Sequence, residues 1–248
     1  MKLIWTYNGK PVSIDKIDYK TIIRINLYIT SISTAKRMGY ETIMYCDKHS
    51  VTYFESFVDK IVVLEQYDTP FWDSYKIDVL ERETGDYCLI DGDIILHNKL
   101  PKFTADVTID CLEIKTYKYY KPTIQLLTEI GIKDIIPEWE DREQNMVNHG
   151  ILHFKNEEIK KLYLEKWKLY GEFIIKHRDK IDDMVYASLT SQYLLLLICN
   201  SVNANIEPLS HALGKMNKYY THYAGDMKFD NPKVPSDVII KPYKKVLI

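Results

Sequence analysis

Within its first hundred residues the sequence alternates three times between a short apolar run and a stretch with helical spacing. Leu3 to Tyr7 reads as a strand, closed by the turn signal Asn8-Gly9-Lys10-Pro11. From Tyr19 to Met38, the residues Ile22, Ile25, Ile29, Ile32 and Ala35 recur at the helical period, and Gly39 stands at the stop position. Glu41 to Cys46 is a second strand, Ser50 to Phe57 a short helix, and Ile61 to Leu64 a third strand. Thr69-Pro70 offers a cap followed by proline at the first helical position, which predicts a helix to about Glu83. Tyr87 to Ile90 is a fourth, wholly apolar strand of the kind buried on both faces. This alternation predicts an α/β fold, with a mostly parallel sheet flanked by helices.

The fourth strand runs into Asp91-Gly92-Asp93 and leaves through Ile94-Ile95-Leu96. Open α/β sheets bind their ligands at the carboxyl ends of the strands. Two acids flanking a glycine there can share one hard divalent cation, and Gly92 allows close approach of a phosphate or sugar. The same residues also suit an Asp-Gly turn between two strands of a hairpin. Taken alone, they leave the two readings level.

Beyond His97 the rhythm changes. Ala105 to Ile114 is strand-like, Tyr117 to Lys121 is aromatic and basic, and Pro122 to Ile130 predicts a short helix stopped by Gly131. Pro137 to Asp141 reads as an exposed loop, and Val147 to Phe154 as a strand interrupted by Gly150. Asn156-Glu157-Glu158 caps an amphipathic helix with Ile159, Leu162, Tyr163, Trp167, Tyr170 and Ile174 on one face. A further helix is expected from about Asp183 to Asn200, and the tail from Asn203 lacks a clear period. No internal repeat or linker interrupts the chain, so residues 1–248 are expected to form a single domain.

A net charge of -2 gives no reason to expect nucleic acid or an acidic membrane as partner. The four cysteines, Cys46, Cys88, Cys111 and Cys199, have no metal-ligand spacing and read as buried thiols in a reducing compartment. The amino terminus is too quickly polar for a signal peptide, and the longest apolar run, Tyr193 to Cys199, is too short to span a membrane. A soluble, cytoplasmic protein is expected. Tyrosine occurs 20 times, which supplies stacking surface for bases and sugars or reflects AT-rich coding.

A nucleotide-binding parallel sheet most often carries a glycine-rich phosphate loop, and neither G-x-G-x-x-G nor a Walker sequence occurs here. Asp91 and Asp93 with a divalent metal are an alternative way to neutralise phosphates. Asp-x-Asp at the end of a buried strand, after three β-α units, resembles the GT-A glycosyltransferases. Four more segments, in order, resemble glycosyltransferase family 8, which includes glycogenin and bacterial galactosyltransferases. They are Ser74-Tyr75-Lys76-Ile77, Asn148-His149-Gly150-Ile151-Leu152, Ser191-Gln192-Tyr193-Leu194, and Thr221-His222-Tyr223-Ala224-Gly225-Asp226-Met227-Lys228. The last resembles the family's carboxyl-terminal His-x-x-Gly-x-x-Lys.

That resemblance implies a GT-A fold, with residues 1–97 as the nucleotide-binding half and 98–248 as the acceptor-binding half. It implies transfer of a sugar from a nucleoside-diphosphate sugar, UDP-linked, to an acceptor hydroxyl on a carbohydrate, with retention. It places Asp91, Asp93 and His222 on Mn²⁺ or Mg²⁺, the nitrogen ligand favouring Mn²⁺. Thr6 and Tyr7 would meet base and ribose, and Lys76, Asn148 and Gly150 would meet phosphate and sugar. Gly92 and Gly225 would permit close approach, Lys228 would pair with the diphosphate, and Gln192 would lie near the anomeric face. Should the enzyme invert instead, Glu140 or Asp141 is a candidate base. Tyr117, Tyr119, Tyr120 and Trp139 are candidate stacking surfaces for the acceptor, with core packing as their other reading.

Departures from the family are visible. His149 replaces a small residue, Ser191 and Tyr193 replace two acids around Gln192, and Phe229-Asp230 replaces Pro-Trp. Residues 113–145 have no counterpart in the family pattern. Two other readings stay open. A haloacid-dehalogenase-like phosphatase also uses Asp-x-Asp, but after its first strand, with Asp182-Asp183 as the downstream acidic pair. The other is a non-catalytic binding protein of the same fold.

Overall fold

The computed structural model describes residues 1–9, 19–65, 71, 73–113, 117–181, 190–212 and 216–224. The chain divides into two compact units. The first takes Met1–Gln66, Tyr87–Pro101 and Gly214–Ile248, and the second takes Tyr67–Asp86 and Lys102–Leu213.

The first unit contains the strands the sequence predicts. β1 is Lys2–Tyr7, α1 is Tyr19–Arg37, β2 is Glu41–Asp47, α2 is Val51–Phe54, and β3 is Lys60–Leu64. β4, Tyr87–Ile90, follows after the chain has passed through the second unit. The order β3-β2-β1-β4 is parallel throughout. β1 pairs with β2 from Lys2↔Glu41 to Tyr7↔Cys46, and with β4 from Lys2↔Tyr87 to Ile4↔Leu89. Every residue of β4 is buried, as its unbroken apolar run requires. Gly39 ends α1 at φ +80°, a left-handed conformation that costs glycine nothing. The helix expected at Ser50–Phe57 is shorter than predicted, because the Asp47 carboxylate accepts from His49 and Ser50 N–H and opens the turn as a 3₁₀ segment, Lys48–Ser50.

β1, β2 and β3 step outward in one direction, while β4 lies on the other side of β1. Crossovers that leave two neighbouring parallel strands in opposite directions open a crevice at the strands' carboxyl ends. Thr6-Tyr7 and Asp91 occupy those two ends. Beyond the turn 91–93, β5 (Ile94–Leu96) leaves the parallel sheet and forms an antiparallel pair with a strand from the tail.

In the second unit, α3 is Ser74–Arg82 and β6 is Val107–Glu113. The helical cap expected at Thr69-Pro70 lies outside the described residues. α4, Tyr117–Glu129, absorbs both the aromatic-basic stretch and the short helix expected from Pro122, which becomes an interior residue. β7 is Met146–Phe154, α5 is Glu157–Lys176, α6 is Ser191–Ser201, and β8 is Ile206–Ser210. The strand order is β7-β6-β8, with β6 antiparallel to β7 and parallel to β8. Asn156 caps α5 as predicted, its carboxamide oxygen accepting from Glu158 and Ile159 N–H. Ile159, Tyr163, Tyr170 and Ile174 are its buried stripe. The start expected for α6, near Asp183, lies outside the described residues, as does Asp182.

The tail corrects the expectation of an aperiodic segment, since it supplies β8 and β9 (Tyr220–His222). Both owe their strand character to long-range pairing. β8 tolerates Pro208 because, among the described residues, it pairs through β6 alone at the end of that order, where a missing N–H breaks no second ladder.

Pro137–Asp141 is irregular, but its centre is not exposed. Trp139 is 1% exposed, stacks on Tyr170 at 6.0 Å and donates Nε1–H to Thr128 Oγ1 at 3.1 Å. Tyr117 is buried too, its hydroxyl donating to Asp141 at 2.6 Å. Core packing therefore claims both residues, and neither is a stacking surface for an acceptor. Tyr119 is 61% exposed.

All four cysteines are free and buried. Burial pushes the Cys46 and Cys199 thiols up to about 12, so they stay neutral. No helix among the described residues is long and apolar enough to cross a membrane.

Candidate metal centre

β4 delivers Asp91 to the sheet's edge, and the chain then turns, with Ile94 N–H donating to the Asp91 carbonyl at 3.1 Å. The turn does not close a hairpin, because β4 pairs with β1 while β5 pairs with β9. That antiparallel register sets Ile94 opposite His222, Ile95 opposite Thr221 and Leu96 opposite Tyr220. Tyr223 N–H also donates to the Asp93 carbonyl at 2.9 Å. A one-residue slip would turn the imidazole to the other face. In this register His222 Nε2 lies 3.3 Å from Asp93 Oδ1, with His222 4% exposed and both acids half-buried.

Asp91, Asp93 and His222 each offer one ligand atom, and these atoms lie within 4.8 Å of one another. Metal–ligand bonds of about 2.1 Å put donors on one small cation about 3 to 4.4 Å apart. The cluster therefore fits a single ion with little movement. Two hard carboxylates with one imidazole suit Mn²⁺ better than Mg²⁺.

The pair of acids makes the local field negative. Burial first, and then the Asp91 and Asp93 carboxylates, hold the Tyr28 hydroxyl well above its usual range. Tyr28 is the site residue that sequence reasoning missed. It stands on α1 beside the Ile25–Ile29–Ile32 stripe, and nothing local marks it. Its ring fills the space beside Gly92, where a Cβ would lie 2.1 Å from Tyr28 Cδ2. Gly92 thus makes room for a protein side chain, where the sequence leads one to expect room for a phosphate or sugar. Gly92→Ala is expected to cost about 1–3 kcal/mol through overpacking, read as a lower denaturant midpoint. An unchanged midpoint would mean that the ring swings aside freely.

The remaining expected site residues fall in three places. Thr6 and Tyr7 close β1, with the Thr6 carbonyl accepting from Tyr28 Oη at 2.9 Å. Gly225 and Lys228 lie outside the described residues. Lys76, Asn148, Gly150 and Gln192 belong to the second unit.

Lys76, on α3, is buried. It is 4% exposed and donates Nζ–H to the His149 carbonyl at 3.0 Å. Asn148 donates to Glu113 Oε1 at 2.7 Å and accepts from Gly150 N–H at 2.8 Å. Gly150 lies in a bulge of β7, between the pairs Ile109↔Leu152 and Cys111↔Asn148. Gln192 is buried in the first turn of α6, where its neighbour Ser191 donates to Asp73 at 2.7 Å. The alternative bases are occupied elsewhere: Asp141 accepts from Tyr117, and Glu140 pairs with Arg142.

Burial, and then the Lys76 charge, hold the His149 imidazole well below its usual range. An unfolded His149 takes up a proton below about pH 6.5, while the folded one resists it. The stability this neutral histidine supports is present above that pH and is lost as pH falls. His149→Asn should therefore flatten the fall in Tm between about pH 7 and 5. His153, shifted the same way by burial, retains part of the slope. Identical slopes for the two proteins would contradict this assignment.

A model of a family of unknown function (DUF6734) matches residues 33–239. No curated protein matches the sequence. Among solved structures, an active-site mutant of LgtC is similar over 99% of this chain and 96% of its own, with a TM-score of 0.50 and 10% identity. The galactosyltransferase LgtC in complex with donor and acceptor sugar analogues gives a TM-score of 0.46 at 8% identity, over 96% of this chain and 98% of its own. Mouse xyloside xylosyltransferase 1, in its apo form, gives 0.46 at 12% identity, over 84% of each chain. At such identities, the likeness to the first of these bears on fold alone. The chain has the GT-A glycosyltransferase fold.

Proposed function

We propose that this chain, which belongs to the DUF6734 family, is a metal-dependent glycosyltransferase. It takes a sugar from a nucleoside-diphosphate sugar, UDP-linked, and passes it to an acceptor hydroxyl with retention. The observation that carries this reading is the convergence of Asp91, Asp93 and His222 at the carboxyl edge of a parallel sheet, in a GT-A fold. A sheet of this kind without a glycine-rich phosphate loop needs another source of positive charge for a diphosphate. A divalent cation, when bound, supplies that charge as a Lewis acid.

The chain's own residues do the rest. Asp91 and Asp93 hold the cation through hard oxygens, and His222 adds a nitrogen that favours Mn²⁺. Tyr7 and Thr6, beside the same crevice, are suited to base and ribose. Lys228, in the motif His222-x-x-Gly225-x-x-Lys228, is the candidate counter-charge for the departing diphosphate. Of the four candidate aromatic surfaces for a carbohydrate acceptor, Tyr119, exposed, and Tyr120, half-buried, stay on α4.

Incubation with a panel of nucleotide sugars, with Mn²⁺ or with EDTA, tests the reading. Release of nucleoside diphosphate that depends on Mn²⁺ is the expected result. No nucleotide affinity, together with cleavage of simple phosphate esters, would contradict it and favour a phosphatase.

A further inference from the structure

One helix grips the turn that carries the two acids. The Tyr28 ring of α1 sits where a Cβ of residue 92 would stand, with ring atoms 2.1 to 2.2 Å from that position. Its hydroxyl donates to the Thr6 carbonyl at 2.9 Å. The ring is wedged on its other sides by Tyr7, edge-on at 5.1 Å, and by Phe54 at 5.8 Å. Three residues further along α1, Ser31 Oγ–H donates to the Ile94 carbonyl at 2.5 Å while accepting from Trp5 Nε1–H at 3.0 Å. The turn 91–93 is thus held beneath its glycine by Tyr28 and just after its last acid by Ser31.

We infer that Tyr28 and Ser31 are positioning residues for the metal site: α1 sets the spacing of the Asp91 and Asp93 carboxylates and ties it to the end of β1. The inference rests on the metal-binding reading given above. A bulky ring lodged in a glycine notch and anchored by a hydrogen bond at its far end cannot slide without moving the backbone above it. The same contacts make the end of β1 and the acidic turn move together. Outer residues that orient metal ligands in this way typically govern affinity by about 10- to 100-fold.

The test is Mn²⁺ affinity of the intact chain, read by electron paramagnetic resonance, beside Tm without metal. Tyr28→Leu is expected to raise the Mn²⁺ Kd about tenfold or more. Tyr28→Phe keeps the wedge and loses only the Thr6 bond, so its Kd should stay within about threefold. Ser31→Ala, on the other side of the turn, should raise Kd about threefold and keeps the question answerable if Tyr28→Leu does not fold. Phe54→Leu loosens the same aromatic cluster and should lower Tm while leaving Kd within about twofold. A wild-type Kd in Tyr28→Leu and Ser31→Ala overturns the inference. So does a Phe54→Leu variant that weakens Mn²⁺ as much as Tyr28→Leu, because the effect is then general loosening. If the wild-type chain binds no Mn²⁺, the metal reading itself fails and the positioning role falls with it.

Discussion

Replacing Asp93 by alanine is expected to lower Mn²⁺-supported release of nucleoside diphosphate about a thousandfold, with little change in Tm. The Asp93 carboxylate is central to the cluster, because it faces His222 Nε2 at 3.3 Å and shares the turn with Asp91. Its loss leaves one acid and one imidazole to hold the cation. Removing a major source of transition-state charge stabilisation costs roughly 4 kcal/mol, which is about three decades in rate. The fold should not suffer. Without metal, two half-buried carboxylates on one turn repel each other, so deleting one relieves as much as it removes. A steady-state assay beside a thermal melt separates the outcomes. Activity above a tenth of wild type would contradict the assigned role, and activity lost together with Tm would mean that Asp93 is structural.

Trp139→Ala is expected to destabilise the protein by about 3–5 kcal/mol, a fall in Tm on the order of 10 °C. The indole is 1% exposed, stacked on Tyr170 and edge-on to Tyr193 at 5.6 Å, with its N–H bonded to Thr128. Truncation would leave a cavity lined by rigid rings, which collapse poorly around a void, and would leave the Thr128 hydroxyl with only its bond to the Ile124 carbonyl. An acceptor-stacking residue would behave in the opposite way, with Tm held and acceptor KM raised. Tyr119→Ala, at an exposed position, should show that second pattern if α4 meets the acceptor.

Trp139 also shows where sequence reasoning reaches its limit. The segment Pro137–Asp141 is rich in proline and acids, and those residues do describe its backbone, which is irregular. They say nothing of a tryptophan packed on a helix some thirty residues later. The four parallel strands of the first unit, in contrast, were legible to within a residue or two, because each is a short apolar run, buried almost throughout in β1, β2 and β4, whose ends are marked by turn residues. Asp91 and Asp93 were legible for the same reason, since they stand where such a run stops. β9 was not. It is three residues long and becomes a strand only by pairing with Ile94–Leu96. His222 was singled out through the resemblance of His222-x-x-Gly225-x-x-Lys228 to a family motif, without any sign of the strand that carries it. Nothing local in the sequence marks the burial of Lys76, which depends on β7, whose His149 carbonyl accepts a hydrogen bond from its Nζ–H.

Asp91-Gly92-Asp93 thus proves to be neither a hairpin turn nor a free ligand loop. It is the junction between a parallel sheet and a small antiparallel pair, and that pair brings the third donor to the first two. Because His222 joins the cluster only when the tail folds back, it is the most telling ligand to remove. The decisive measurement is a Mn²⁺ titration of wild type and His222→Gln, followed by electron paramagnetic resonance. The account predicts one tightly bound Mn²⁺ per wild-type chain and at least a tenfold weaker Kd, roughly 1.4 kcal/mol, in His222→Gln. Equal Mn²⁺ affinity in the two proteins would contradict it.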